Sequence, residues 1–167
     1  MRALKVMLCL LVFLVIPAGI GARKHPVETP EDAERAEIHD YRLSLDKLER
    51  AAEAGDEILK LCTADPNLAG KVDEVFAKEP PLDEQARNIE SELPQIAAIL
   101  HAHRLTTREF LLIRFALVLD LFYVESKMED GKPVDPEDCL PANVALIEKN
   151  LEHIRALGIR IFADKAE

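Results

Sequence analysis

Between Phe110 and Val124 the chain carries only two charged side chains, Arg114 and Asp120, and one further polar group, the hydroxyl of Tyr123. No glycine or proline interrupts the run. Just before it, Thr106 followed three positions later by Glu109 forms a capping-box pattern, which predicts a helix from Thr107 to about Lys127. A helix that is apolar nearly all round must be covered on nearly all sides, so this segment is expected at the centre of a helical bundle. It is too short to cross a bilayer, which takes about 20 apolar residues, and its two opposite charges make insertion costly.

The flanking segments read as the covering helices. Thr29 and Pro30, followed by Glu31 and Asp32, make a helix start. One long helix is expected from there to about Cys62–Ala64, with Ile38, Tyr41, Leu45, Leu48, Ala52, Leu59 and Cys62 on its core face. Asp65 and Pro66 repeat the start, and Leu68, Val72, Val75 and Phe76 mark a short helix that ends at Pro80 and Pro81. Ile89, Leu93, Ile96, Ala97 and Leu100 define a third pattern, in which Pro94 predicts a kink or restart. Glu129 to Asp138, with Gly131, Pro133 and Pro136, reads as a loop. The last helix opens at Leu140–Asn143, buries Val144, Ile147, Leu151 and Ile154, and is expected to stop at Gly158, leaving Ile159–Phe162 as an extended or packed tail. The fold class expected is all-α: an up-and-down bundle of four main helices plus one short helix, in a single domain over residues 29–167.

The N-terminus has the layout of a secretory signal. Arg2 and Lys5 precede an uncharged stretch from Val6 to Ile16, and Pro17 leads into Ala18, Gly19, Ile20, Gly21 and Ala22. Residues 1–22 are expected to be removed after Gly21 or Ala22, residues 23–28 to form a disordered lead, and the mature protein to be periplasmic or secreted. Cys9 lies deep in the apolar stretch behind Leu8, which excludes a lipoprotein reading.

The formal net charge of -10 disfavours phosphate backbones and anionic lipid surfaces, and losing Arg2 and Lys5 with the signal makes the remainder more acidic still. Neither nucleic-acid binding nor membrane insertion after cleavage is expected. Cys62 and Cys139 would survive processing. In an oxidising compartment they either pair, for which the chain-entropy relation gives about 4–5 kcal/mol, or serve as two small core residues.

Residues suited to chemistry are sparse in pattern. His39, His101, His103 and His153 invite a metal reading, but His101 and His103 are two apart and point away from each other on a helix, converging only if the helix ends near His101. No Gly-x-Ser-x-Gly elbow, Cys-x-x-Cys-His haem site, phosphate loop or calcium loop is present, and no pattern asks for a cofactor. Arg114 and Asp120 stand where apolar residues are expected, and each needs a partner from another helix. Asp40, Arg42, Asp46, Arg108 and Glu109 are within the choice of partners. The pairs either fix helix register or line a polar pocket built on Arg42, Arg114 and Asp120.

Three stretches together resemble a family of uncharacterised exported all-helical proteins of Gram-negative bacteria. They are Asp40-Tyr41-Arg42-Leu43-Ser44-Leu45-Asp46-Lys47, Leu105-Thr106-Thr107-Arg108-Glu109-Phe110, and Pro141-Ala142-Asn143-Val144-Ala145. The resemblance implies a periplasmic location and an all-helical fold, and brings no activity and no functional residue with it. The function expected is therefore that of a non-enzymatic module binding a partner protein or an apolar ligand. The alternative is a metal-binding or envelope-stress protein acting through histidines and acidic residues.

Overall fold

The computed structural model describes residues 29–78, 80–130 and 139–162, which form eight helices and no strand. In chain order these are α1 (Pro30–Asp40), α2 (Leu45–Ala64), α3 (Pro66–Ala77), α4 (Leu82–Glu92), α5 (Pro94–Ala102), α6 (Thr107–Asp130), α7 (Pro141–Lys149) and α8 (Leu151–Ile161). The all-α class is as expected. The signal segment, the lead at 23–28 and residues 131–138 of the acidic loop lie outside the described residues.

Prolines at Pro30, Pro66, Pro94 and Pro141 open four of the helices, where a missing amide costs nothing. Thr29 Oγ1 accepts from the Asp32 amide at 3.1 Å, and Asp65 Oδ1 accepts from the amides of Asn67 and Leu68 at 3.0 and 3.2 Å. At Pro94 the predicted restart takes place: the Leu93 amide still donates to Ile89 O, and α5 begins one residue later. The α5–α6 turn is made by Arg104, the only described non-glycine residue with positive φ (60°). The Arg104 carbonyl is held by Arg50 Nη1 at 2.9 Å.

Two of the long helices predicted from the pattern are divided. Residues 41–44 break the first, so that α1 and α2 are separate. Ser44 caps α2 by accepting from the Lys47 amide at 3.3 Å, and the backbone groups freed at Tyr41 and Leu43 are taken up by the Asn143 side chain. Within α2 the predicted face is kept, with Leu48, Ala52, Gly55 and Cys62 buried, but Ile58 is buried beside them while Leu59 is only half-buried at the edge of that face. The last predicted helix breaks at Asn150, whose side chain donates to Leu146 O at 2.8 Å, and α8 turns away to lie on α2. Nor does Gly158 stop it: Gly158 is buried with its α-carbon facing Leu117, and α8 continues to Ile161.

Packing is organised by the two longest helices. α2 is covered by α8, α3 and α5, and α6 by α7, α4, α1 and α5, with α2 and α6 touching each other. Leu48, Ile89, Leu93, Leu100, Ile113, Leu117, Ile147 and Ile154 are fully buried at the junctions. Burying each such side chain stabilises the fold by about 1.5–3 kcal/mol. No helix among the described residues is long and apolar enough to cross a membrane.

Candidate functional site

Asp120 is 3% exposed, and its partner is an amide rather than a cation. Asn143, fully buried at the first turn of α7, donates from Nδ2 to Asp120 Oδ2 at 2.8 Å and to the Tyr41 carbonyl at 2.9 Å, while its Oδ1 accepts from the Leu43 amide at 2.9 Å. One side chain thus clasps α6, α7 and the α1–α2 junction. Burial pushes the Asp120 carboxyl above the usual range, and hydrogen bonds from Asn143, the Leu140 backbone and Cys139 partly offset that. Every polar group of the Asn143 amide points into protein, so the arrangement acts as a fastening.

Arg114 lies on another face of α6. Its guanidinium stands 5.0, 5.7 and 4.9 Å from the ring centroids of Phe76, Phe110 and Phe162, a setting that holds a delocalised cation in an apolar surrounding. Arg42 is exposed in the segment 41–44, and among the described residues its carbonyl is engaged by Lys47 Nζ at 3.5 Å. Arg42, Arg114 and Asp120 therefore do not meet in one pocket. The void beside Arg114, bounded by Gly55, Val72, Phe76, Ile89 and Phe110, measures about 10 Å³. That is the space of one water, where ligand pockets span about 300–1,000 Å³. A shallow cleft of about 180 Å³ at Tyr123, Cys139, Pro141 and Glu148 is also below that range.

The histidine pair is not assembled either. His101 is exposed, whereas His103 is turned toward α2, with Nδ1 3.4 Å from Glu53 and Nε2 3.1 Å from Glu57. Since the two carboxylates sit at opposite ring nitrogens, they cannot share one ion with this imidazole. No group of three or more His, Cys, Asp or Glu residues among those described is placed to hold a metal.

Cys62 and Cys139 are both buried, and no disulfide joins them. Cys139 lies against Leu119 and Asp120 near the Asn143 fastening, which grips the start of α2, while Cys62 is near the far end of that helix. At 1.5 Å per residue that separation is about 25 Å along the axis, against the 4.4–6.8 Å between α-carbons that a disulfide needs.

What the sequence reading does not anticipate is an outer face on α6. The helix is enclosed at its N-terminal half, where Leu111, Leu112 and Ile113 are all buried, but beyond Arg114 one side opens. Phe115 is 41% and Phe122 39% exposed, and between them Val118 and Leu119 are half-buried. Positions 115, 118, 119 and 122 form the i, i+3, i+4, i+7 stripe by which a helix offers one face to a neighbour. The capping box at the start of α6 is only half made. Thr106 Oγ1 accepts from the Glu109 amide at 3.0 Å, but the Glu109 carboxylate turns to Tyr41, accepting from its hydroxyl at 3.1 Å.

Each end of the stripe is bounded by an arginine held between two carboxylates. At the N-terminal end, Arg108 is paired with Glu37 on α1 and, through Nε at 2.6 Å, with Asp83 on α4. At the C-terminal end, Arg155 on α8 donates to Glu125 at 2.9 Å and Glu152 at 2.8 Å. Compared with known proteins, the chain matches no family model, no curated protein and no solved structure.

Proposed function

We propose that this protein is an exported, non-enzymatic helical module that binds a partner protein through the outer face of α6. One observation carries the reading: two phenylalanines two turns apart on the central helix are about 40% exposed, with two further apolar side chains between them. Large aromatic side chains on a surface are costly in water and dominate the energetics of interfaces once covered. The narrow core void favours a protein partner over an internal apolar ligand. Export rests on the signal-like segment at residues 1–22 and on the resemblance to exported Gram-negative proteins, which also favours the periplasm as the site of action.

A photo-crosslinking amino acid placed at Phe115 or Phe122 in cells of a Gram-negative host tests both parts. The expected result is a crosslinked species from these positions and none from Asp73, exposed on α3. Intact mass of the same material would show loss of residues up to Gly21 or Ala22. Equal crosslinking from all three positions, or none, overturns the docking reading, and an uncleaved cytoplasmic product overturns export.

A further inference from the structure

The charges at the two ends of the α6 face define what can lie on it. Arg108 and Phe115 are seven residues apart and Phe122 a further seven, so all three fall on one line of the helix surface. At one end Arg108 is shared by Glu37 and Asp83, and at the other Arg155 is shared by Glu125 and Glu152. Each triad holds one positive and two negative charges. At the N-terminal end the further charge of Arg87 on Asp83 is matched by Glu34, whose carboxylate accepts from the adjacent Leu82 amide at 2.7 Å. A net negative charge is thus left at both ends of an apolar stripe. The carboxylates on the outer side of the triads are open to solvent: the Asp83 side chain is 64% and that of Glu152 86% exposed. Their remaining lone pairs are available to further donors.

Resting on the reading of α6 as a docking face, we infer that its occupant is a basic amphipathic helix of a partner protein. Apolar residues at its centre cover Phe115, Val118, Leu119 and Phe122, and Lys or Arg at both ends meets the two acidic triads. From Arg108 to Glu125 α6 rises about 25 Å, so the matching segment is roughly 17 residues long. The alternatives fit the charges less well. A second copy, packed parallel or antiparallel, would set net-negative ends against each other in a chain already at -10. Phosphate-bearing polymers and anionic lipids are repelled for the same reason.

The probe is a synthetic 18-residue amphipathic peptide with Leu at i, i+3, i+4 and i+7 and Lys at both ends, titrated into the purified protein. A second peptide carries Glu in place of each Lys. The Lys peptide is expected to bind and perturb amide resonances of α6, at least tenfold more tightly than the Glu peptide, and to weaken with added salt. Combined Asp83→Asn and Glu152→Gln should lower its affinity about tenfold with the circular dichroism spectrum unchanged. Combined Phe115→Ser and Phe122→Ser should abolish binding. Equal affinity for the two peptides, or no effect of the Asp83→Asn, Glu152→Gln variant, overturns the basic-helix assignment. Self-association in sedimentation that disappears in the phenylalanine variant would replace it with a second copy. Crosslinks from Phe115 and Phe122 to a partner segment lacking basic residues would leave docking standing and remove only the charge assignment, whereas absence of crosslinks would remove docking itself.

Discussion

The carbonyl oxygen of Arg160 lies 2.2 Å from the point where a Cβ on Gly55 would stand. α8 and α2 approach backbone to backbone at this crossing, which only a residue without a side chain permits. The approach is secured from the side by Arg160, whose Nε and Nη2 donate to Asp56 Oδ2 at 3.0 and 2.7 Å.

Gly55→Ala should therefore force α8 away from α2 and destabilise the protein by about 3 kcal/mol or more, the upper part of the range for overpacking a core. Gly70, exposed on α3 with nothing within 4 Å of an added Cβ, is the internal control. Gly70→Ala should raise stability by about 0.5–1 kcal/mol through helix propensity alone. Urea unfolding midpoints of the two variants check both signs.

Removing the Asn143 side chain orphans the Leu43 amide and Tyr41 carbonyl and takes a donor from Asp120 at one stroke. Asn143→Ala should cost about 3–5 kcal/mol, since each buried polar group left unsatisfied costs about 1–3 kcal/mol. Hydrogen exchange offers a local check. The Leu43 amide should lose its protection by a larger factor than amides in the middle of α4.

Two sets of carboxyls respond to pH with opposite sign. Asp120, raised first by burial, favours its neutral form in the folded protein, so its contribution is full below about pH 4 and is lost as pH rises through the raised folded value. Asp56 and Glu37 are lowered, chiefly by hydrogen bonds from Arg160 and Arg108, so theirs is present above about pH 4 and lost as pH falls. Urea midpoints followed from pH 3 to pH 8 should show the Asp120→Asn variant gaining on the wild type as pH rises above 4. Arg160→Met should lose less stability than the wild type on acidification.

Arg104 sits at φ 60°, a conformation that costs an L-residue roughly 1–2 kcal/mol. Arg104→Gly should recover about 1 kcal/mol, because the contact it makes to Arg50 uses only its carbonyl. A rise in thermal midpoint with unchanged helical content is the expected readout.

Local chemistry announces much of the fold. The Thr29, Asp65 and Thr106 caps and the prolines at 30, 66, 94 and 141 act within one turn, and those boundaries are readable from the chain. The break at 41–44 is not. No glycine or proline marks it, and what makes it stable is a side chain 100 positions away, so Asn143 reads as an ordinary helix opener when its neighbours in space are unknown. Asp120 is legible as a buried charge from its apolar surroundings, but its partner is not, since pairing depends on how α7 lies on α6. The aromatic face escapes for a related reason. A run apolar on all sides gives no sign of which side the other helices leave uncovered.

The crossing of Gly55 and Arg160 also sets an order of events. Its partners come from the second and the eighth helix, and the Asn143 fastening likewise waits for a late segment to grip an early one. A ribosome-bound chain that has emerged only through α6 carries α2 with the bed for α8 empty and the ends of its first two helices untied. The contacts that close the assembly are therefore long-range ones, available only when residues 141–161 have arrived.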